Sequence, residues 1–204
     1  MSCECGANFT IDHALTCKKG GFISIRHNEV RNITAKFLQE VCHDVKLEPC
    51  LQSVKGEELP KSTNISEEAR LDICARGFWV AGQMAFCDVR VFNPLAKRYS
   101  NTQLNKCYAM NEKEKKKTYN HRLIQIEHST FTPLIFSATG GMGRECKKFY
   151  HRLAEKISEK RKIEFEKISI WIRRKISFAP GPAEATAAVA NAAPLFCKQD
   201  NIFL

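Results

Sequence analysis

The sequence predicts an α/β fold of the form αβββαβ, a mixed central sheet flanked by helices, with a short N-terminal segment before it and C-terminal helices after it. Three observations carry this. Two runs at 70–75 and 86–92 alternate polar and apolar residues around Gly77 and Gly82, as paired strands do. Apolar residues recur at helical spacing before them, at 30–41, and after them, at 106–128. The run FTPLIFSAT, 131–139, reads as a buried strand that ends in Gly140-Gly141-Met142-Gly143 and opens amphipathic helices.

In the first helix Val30, Ile33, Phe37, Leu38 and Val41 form the apolar face. Asn28 reads as its N-cap, which puts Glu29 in the first turn beside the stripe. The plain role for Glu29 is to complement the helix dipole. The sharper role is a third carboxylate aimed at a metal, and position alone favours the plain one. A short strand at 45–51 follows, then a polar stretch, 53–66, that reads as a loop: either a nucleic-acid-facing flap or an insertion without order.

The paired strands hold the chemistry. Side chains two apart in a strand share a face, so Asp88 and Arg90 point the same way, and Asp72 joins them if the strands form a hairpin. Two carboxylates and a cation at the end of a sheet suit a hard divalent ion and a phosphodiester. The plain alternative is a surface ion pair.

The next helix carries Glu112-Lys-Glu-Lys-Lys-Lys-Thr-Tyr. Tyr108, Tyr119, Leu123 and Ile126 mark its inward stripe. Lys115 falls within that stripe, Lys116 at its border and Lys117 outside it. An inward lysine either snorkels or reaches a buried anionic site. Arg122 lies on the same side, within reach of a phosphate. After the glycine turn, which is either a phosphate-holding helix start or a tight turn, Phe149, Tyr150, Leu153 and Ile157 face inward. Lys147, Lys148, His151 and Arg152 form a basic outer face. A second amphipathic helix, 165–178, adds Arg173, Arg174 and Lys175. Residues 179–204 are low-complexity and read as a tail without a core.

Composition narrows the partners. With 32 Lys+Arg against 22 Asp+Glu, the formal net charge is +10, which favours nucleic acid over other partners. No apolar run approaches the roughly 20 residues a bilayer-spanning helix needs. The N-terminus lacks the pattern of a secretory leader, which predicts an intracellular, non-secreted chain. Of the ten cysteines, Cys42, Cys74, Cys87, Cys107 and Cys146 read as small buried residues of a reducing compartment. Cys3, Cys5, His13 and Cys17 form C-x-C-x7-H-x3-C, a soft donor set suited to tetrahedral Zn2+. The alternative is a reduced, frayed terminus. Methionine so close to the first ligand suggests a piece of a longer protein.

In this order, Cys3/Cys5/His13/Cys17, Arg26-His27-Asn28, Asp72 with Asp88, and Lys115 with Tyr119 resemble the motifs of one family. It is the restriction-like endonuclease domain of site-specific non-LTR retrotransposon proteins, a PD-(D/E)XK nuclease. The resemblance covers about residues 3–150, with residues 1–21 as the knuckle and 22–178 as the nuclease domain. Leu71 stands where the family usually has proline, and fifteen residues separate Asp72 from Asp88, slightly more than usual. The His–Cys spacing is one residue short. Arg90 occupies a place where many relatives have lysine; a guanidinium stays protonated and serves poorly as acid or base. The resemblance implies a nuclear DNA endonuclease using Mg2+ or Mn2+. In it Asp72 and Asp88 hold the metal, Glu29 assists through water, and Arg90, Lys115 and Tyr119 complete the catalytic set. Arg26, His27, Arg122, Lys147, Lys148 and Arg152 are its expected DNA contacts, with RNA of the parent element as a further partner. Two other readings stay open: a catalytically silent zinc- and DNA-binding remnant, and a structure-specific, resolvase-like nuclease of the same fold.

Overall fold

A computed structural model describes residues 22–52 and 70–177, together with Cys5, Gly6, Asn8, Thr10 and His13. The polar stretch 53–66, the tail 179–204, Cys3 and Cys17 lie outside the described residues.

The architecture is α/β. Helix α1 (Phe22–Val41) leads into β1 (His43–Leu47), β2 (Ile73–Arg76) and β3 (Met84–Phe92). A 3₁₀ turn (Lys97–Tyr99), α2 (Leu104–Gln125), β4 (Thr130–Ser137), α3 (Arg144–Arg161) and α4 (Phe165–Ser177) complete it. The four strands lie in sequence order, antiparallel from β1 to β3 and parallel between β3 and β4. A parallel pair needs a crossover, and α2 is that crossover. Pro133 sits in β4, an edge strand, where a missing donor is tolerated.

Period-two alternation sends β3 side chains to two cores. Ala85, Cys87 and Val89 pack with α1, α3 and α4, where Phe37, Leu38, Phe149, Leu153 and Ile172 meet them. Phe86 packs with Leu71, Leu123 and Phe131 on the α2 side, and Phe92 with Tyr99, Tyr108 and Ile135. Asp88 therefore faces α2, in the gap between two apolar clusters. The five cysteines expected inside the fold are buried and free.

Three boundaries differ from the sequence reading. Helix α1 begins at Phe22, so Asn28 and Glu29 lie inside the helix, past its first turn. The first strand ends at Leu47, and Cys50 lies beyond it, in an isolated bridge to Arg70. Strand β2 starts at Ile73, which leaves Asp72 in the bend just before it. Between β2 and β3 the chain reverses through Gly77 and Gly82, whose positive φ values of 81° and 77° favour glycine.

Candidate active site

The site is assembled from α1, the β2–β3 pair and α2. Asp88, in the middle of β3, is 6% exposed. Ile73 pairs with Cys87, which brings Asp72 alongside Asp88 at the same end of the hairpin. The Asp72 carboxylate is held in place. Its Oδ2 accepts the Val89 backbone N–H at 2.6 Å and lies 3.1 Å from Nε2 of His27 on α1. From α2, Lys115 places Nζ 2.6 Å from Asp88 Oδ2. One turn on, the Tyr119 ring lies 5.6 Å from Lys115 Nζ and packs against Phe131 at 5.7 Å. Lys116 instead bridges to Glu145 at 3.2 Å, and Lys117 is exposed. A helix turns 100° per residue, and the three consecutive lysines meet three different surroundings as a result: Asp88, Glu145 and solvent.

The electrostatics follow from this packing. Burial drives the Asp88 carboxyl up to about 6 against the opposing pull of Lys115, and the Asp72 charge adds to the rise. For His27, burial disfavours the imidazolium, yet the Asp72 hydrogen bond and charge outweigh it and raise the pKa above its ordinary value. Both ring nitrogens face oxygens, Nε2 toward Asp72 and Nδ1 toward Asn28 Oδ1 at 3.3 Å, an arrangement an imidazolium satisfies. Burial also raises the Tyr119 phenol, with the Asp88 charge adding to it. Asp72 thus meets an imidazole and Asp88 an ammonium in a largely buried gap.

Asp72 and Asp88 are hard oxygen donors in a place that already needs positive charge, a combination that fits Mg2+ or Mn2+. Such ions take one or two protein carboxylates and complete their shell with water and substrate phosphate. Among the described residues no group of three or more His, Cys, Asp or Glu stands together as a metal site. Glu29 is half-buried on α1, and the charges that act most on Asp88 are those of Lys115, Asp72 and His27.

Several other sequence candidates are engaged elsewhere. Arg90 Nη1 donates to Glu114 Oε2 at 3.0 Å, and the same oxygen accepts from Arg98 at 3.1 Å. Arg26 is 8% exposed, and burial lowers its guanidinium pKa. Arg122 is 7% exposed and donates to the Gln52 carbonyl, which turns it away from solvent. His27 contacts a carboxylate. On α3, Lys147, Lys148 and Arg152 keep the outward basic face. The helix start after Gly143 holds a carboxylate of the chain itself: Glu112 Oε1 accepts the Glu145 N–H at 2.9 Å. Of the knuckle residues, Cys5 Sγ lies 3.2 Å from His13 Nε2.

Neither the His27–Asp72 contact nor the Glu114 clamp on Arg90 is legible in the sequence. These pairs lie 45 and 24 residues apart, and only the folded sheet joins them. Comparison with known proteins finds no matching protein family and no matching curated protein.

Proposed function

We propose that the chain is a metal-dependent DNA endonuclease of the PD-(D/E)XK kind, nuclear, with an N-terminal zinc knuckle. One observation carries this reading. Asp72, Asp88 and Lys115 come from a strand entry, a strand and the following helix: Lys115 Nζ lies 2.6 Å from Asp88 Oδ2, and Asp72 is near enough for its charge to act on Asp88. A magnesium or manganese ion held by the two carboxylates would supply Lewis-acid activation of water and neutralise phosphate charge.

The remaining work falls to the chain's own groups. The Val89 N–H and His27 fix Asp72 Oδ2, leaving Oδ1 to turn toward a metal. Lys115 holds Asp88 in the resting protein, and its ammonium is placed to stabilise charge developing on a phosphoryl oxygen. The Tyr119 ring lies 5.6 Å from the ammonium, a cation–π contact that steadies the lysine beside Asp88. Arg90 is held by Glu114 and orients the lysine helix, and Glu29 is left to a structural role. The close Cys5–His13 approach supports a Zn2+ site there, which Cys3 and Cys17 would complete.

A binding-only reading draws on a specific observation too: both carboxylates already have basic partners within the protein, His27 and Lys115. A nicking assay on supercoiled plasmid with and without Mg2+ separates the two. The nuclease reading expects nicking by wild type, a loss of several orders of magnitude in Asp72→Ala and Asp88→Ala, and DNA binding at least as tight in those variants. Wild type that binds DNA yet never nicks with Mg2+ or Mn2+ leaves the binding-only reading standing.

A further inference from the structure

Away from the carboxylates, on the other face of the sheet, the α3 side holds a groove of about 490 Å3. That volume is in the range of pockets that take a small ligand. Trp79 lines it together with Arg144, Lys147, Lys148, His151 and Arg152 of α3. These α3 residues follow the helical spacing of a single stripe, which gathers the two lysines and two arginines in one groove with a single indole ring. Glu155 closes one end, tied to Arg152 at 3.0 Å, so the positive charge concentrates toward Arg144.

The indole is fixed. Its Nε1–H donates to Thr132 Oγ1 at 3.0 Å. Phe78 and Phe149 meet it at interplanar angles of 75° and 70°, so neither lies flat against it. A fixed aromatic ring bordered by cations has the chemistry of a single-strand platform, where bases stack on the ring and phosphates meet the lysines and arginines. A duplex offers its phosphates to such a rim, but its bases are already stacked on each other and have no face left for the indole. Thr132 pairs across the sheet with Cys87, the neighbour of Asp88. The groove therefore backs onto the carboxylate site through the thickness of one sheet.

We propose that this groove binds single-stranded DNA, with one base on Trp79 and the flanking phosphates on Arg144, Lys147 and Lys148. The proposal rests on the nuclease reading only for the source of the strand. Binding is measured by fluorescence anisotropy in EDTA, where no cutting occurs, using labelled dT12, rU12 and a duplex of equal length. Trp79→Ala is expected to weaken dT12 binding by about 5- to 140-fold, since stacking is worth that much per base. Duplex affinity should change less than about twofold. Trp79→Phe should keep most of the dT12 affinity. Trp79→Leu, which fills the space without a ring to stack on, should lose as much as alanine. Unchanged dT12 binding in Trp79→Leu overturns the proposal, as does an equal loss for dT12 and duplex. A preference for rU12 over dT12 overturns the assignment to DNA. Failure of the plasmid assay with the EDTA result intact removes the nuclease reading and leaves this one in place.

Discussion

At the scale of single residues, Asp88 carries the greatest strain between stability and function. Its carboxyl rises from 3.8 in the unfolded chain to about 6 in the fold. The native state therefore holds this proton more tightly than the unfolded state does. The Asp88 contribution is fully favourable below about pH 4 and is lost as pH rises through about 6. Asp88→Asn removes that dependence. In EDTA above about pH 6 the variant should be the more stable protein, by up to about 3 kcal/mol, while losing cleavage. Urea unfolding of both proteins at low and neutral pH checks the sign; a variant less stable than wild type at neutral pH would show that Lys115 already offsets the burial cost. Lys115 and Lys117 test the helical face directly. Lys115→Ala should cut poorly with a modest loss of affinity, and Lys117→Ala, exposed on the same helix, should behave like wild type. Equal nicking by the two would remove Lys115 from the chemistry.

At the scale of elements, α2 supplies Lys115 to the site and also caps α3. The Glu112 carboxylate satisfies a first-turn N–H of α3, the work an N-cap side chain usually does. Gly143 leaves room for it, since a Cβ there would meet the Glu112 carboxylate. Gly143→Ala and Glu112→Ala should each cost on the order of 1 kcal/mol, and the double variant should cost less than the sum. A fully additive double-mutant cycle in thermal unfolding would show that the two positions act independently.

The alternation that defines β3 was legible in the sequence, because Cys87 and Val89 against Phe86 and Asp88 follow the sheet's own period. So was the inward face of α2, since Tyr108, Lys115, Tyr119 and Leu123 share one side. The start of α1 was not. Asn28 has the chemistry of a cap, but the helix continues through it from Phe22 because nothing there breaks it. Nor was the burial of Arg26 and Arg122. Charge suggests solvent, and the Gln52 carbonyl that takes Arg122 is 70 residues away in the chain.

At the scale of the whole molecule, the +10 charge predicts salt-dependent affinity for nucleic acid, because neutralising phosphates releases counterions. Replacing Lys147, Lys148 and Arg152 together should flatten the dependence of log Kd on log salt by about two to three units of slope. An unchanged slope would move the path of the DNA to another face.

The crossover has one more consequence. Asp72 and Asp88 precede the stretch 100–103, exposed except at Thr102, and Lys115 follows it. A protease cut within that stretch would place the acids on one fragment and the ammonium on the other. The β3–β4 pairing would hold the two together, since β4 lies beyond the cut. The nicked protein should stay active while its fragments remain associated, fall silent when denaturant parts them, and recover on mixing. The site would then be the shared property of two pieces of chain, with neither half a nuclease alone.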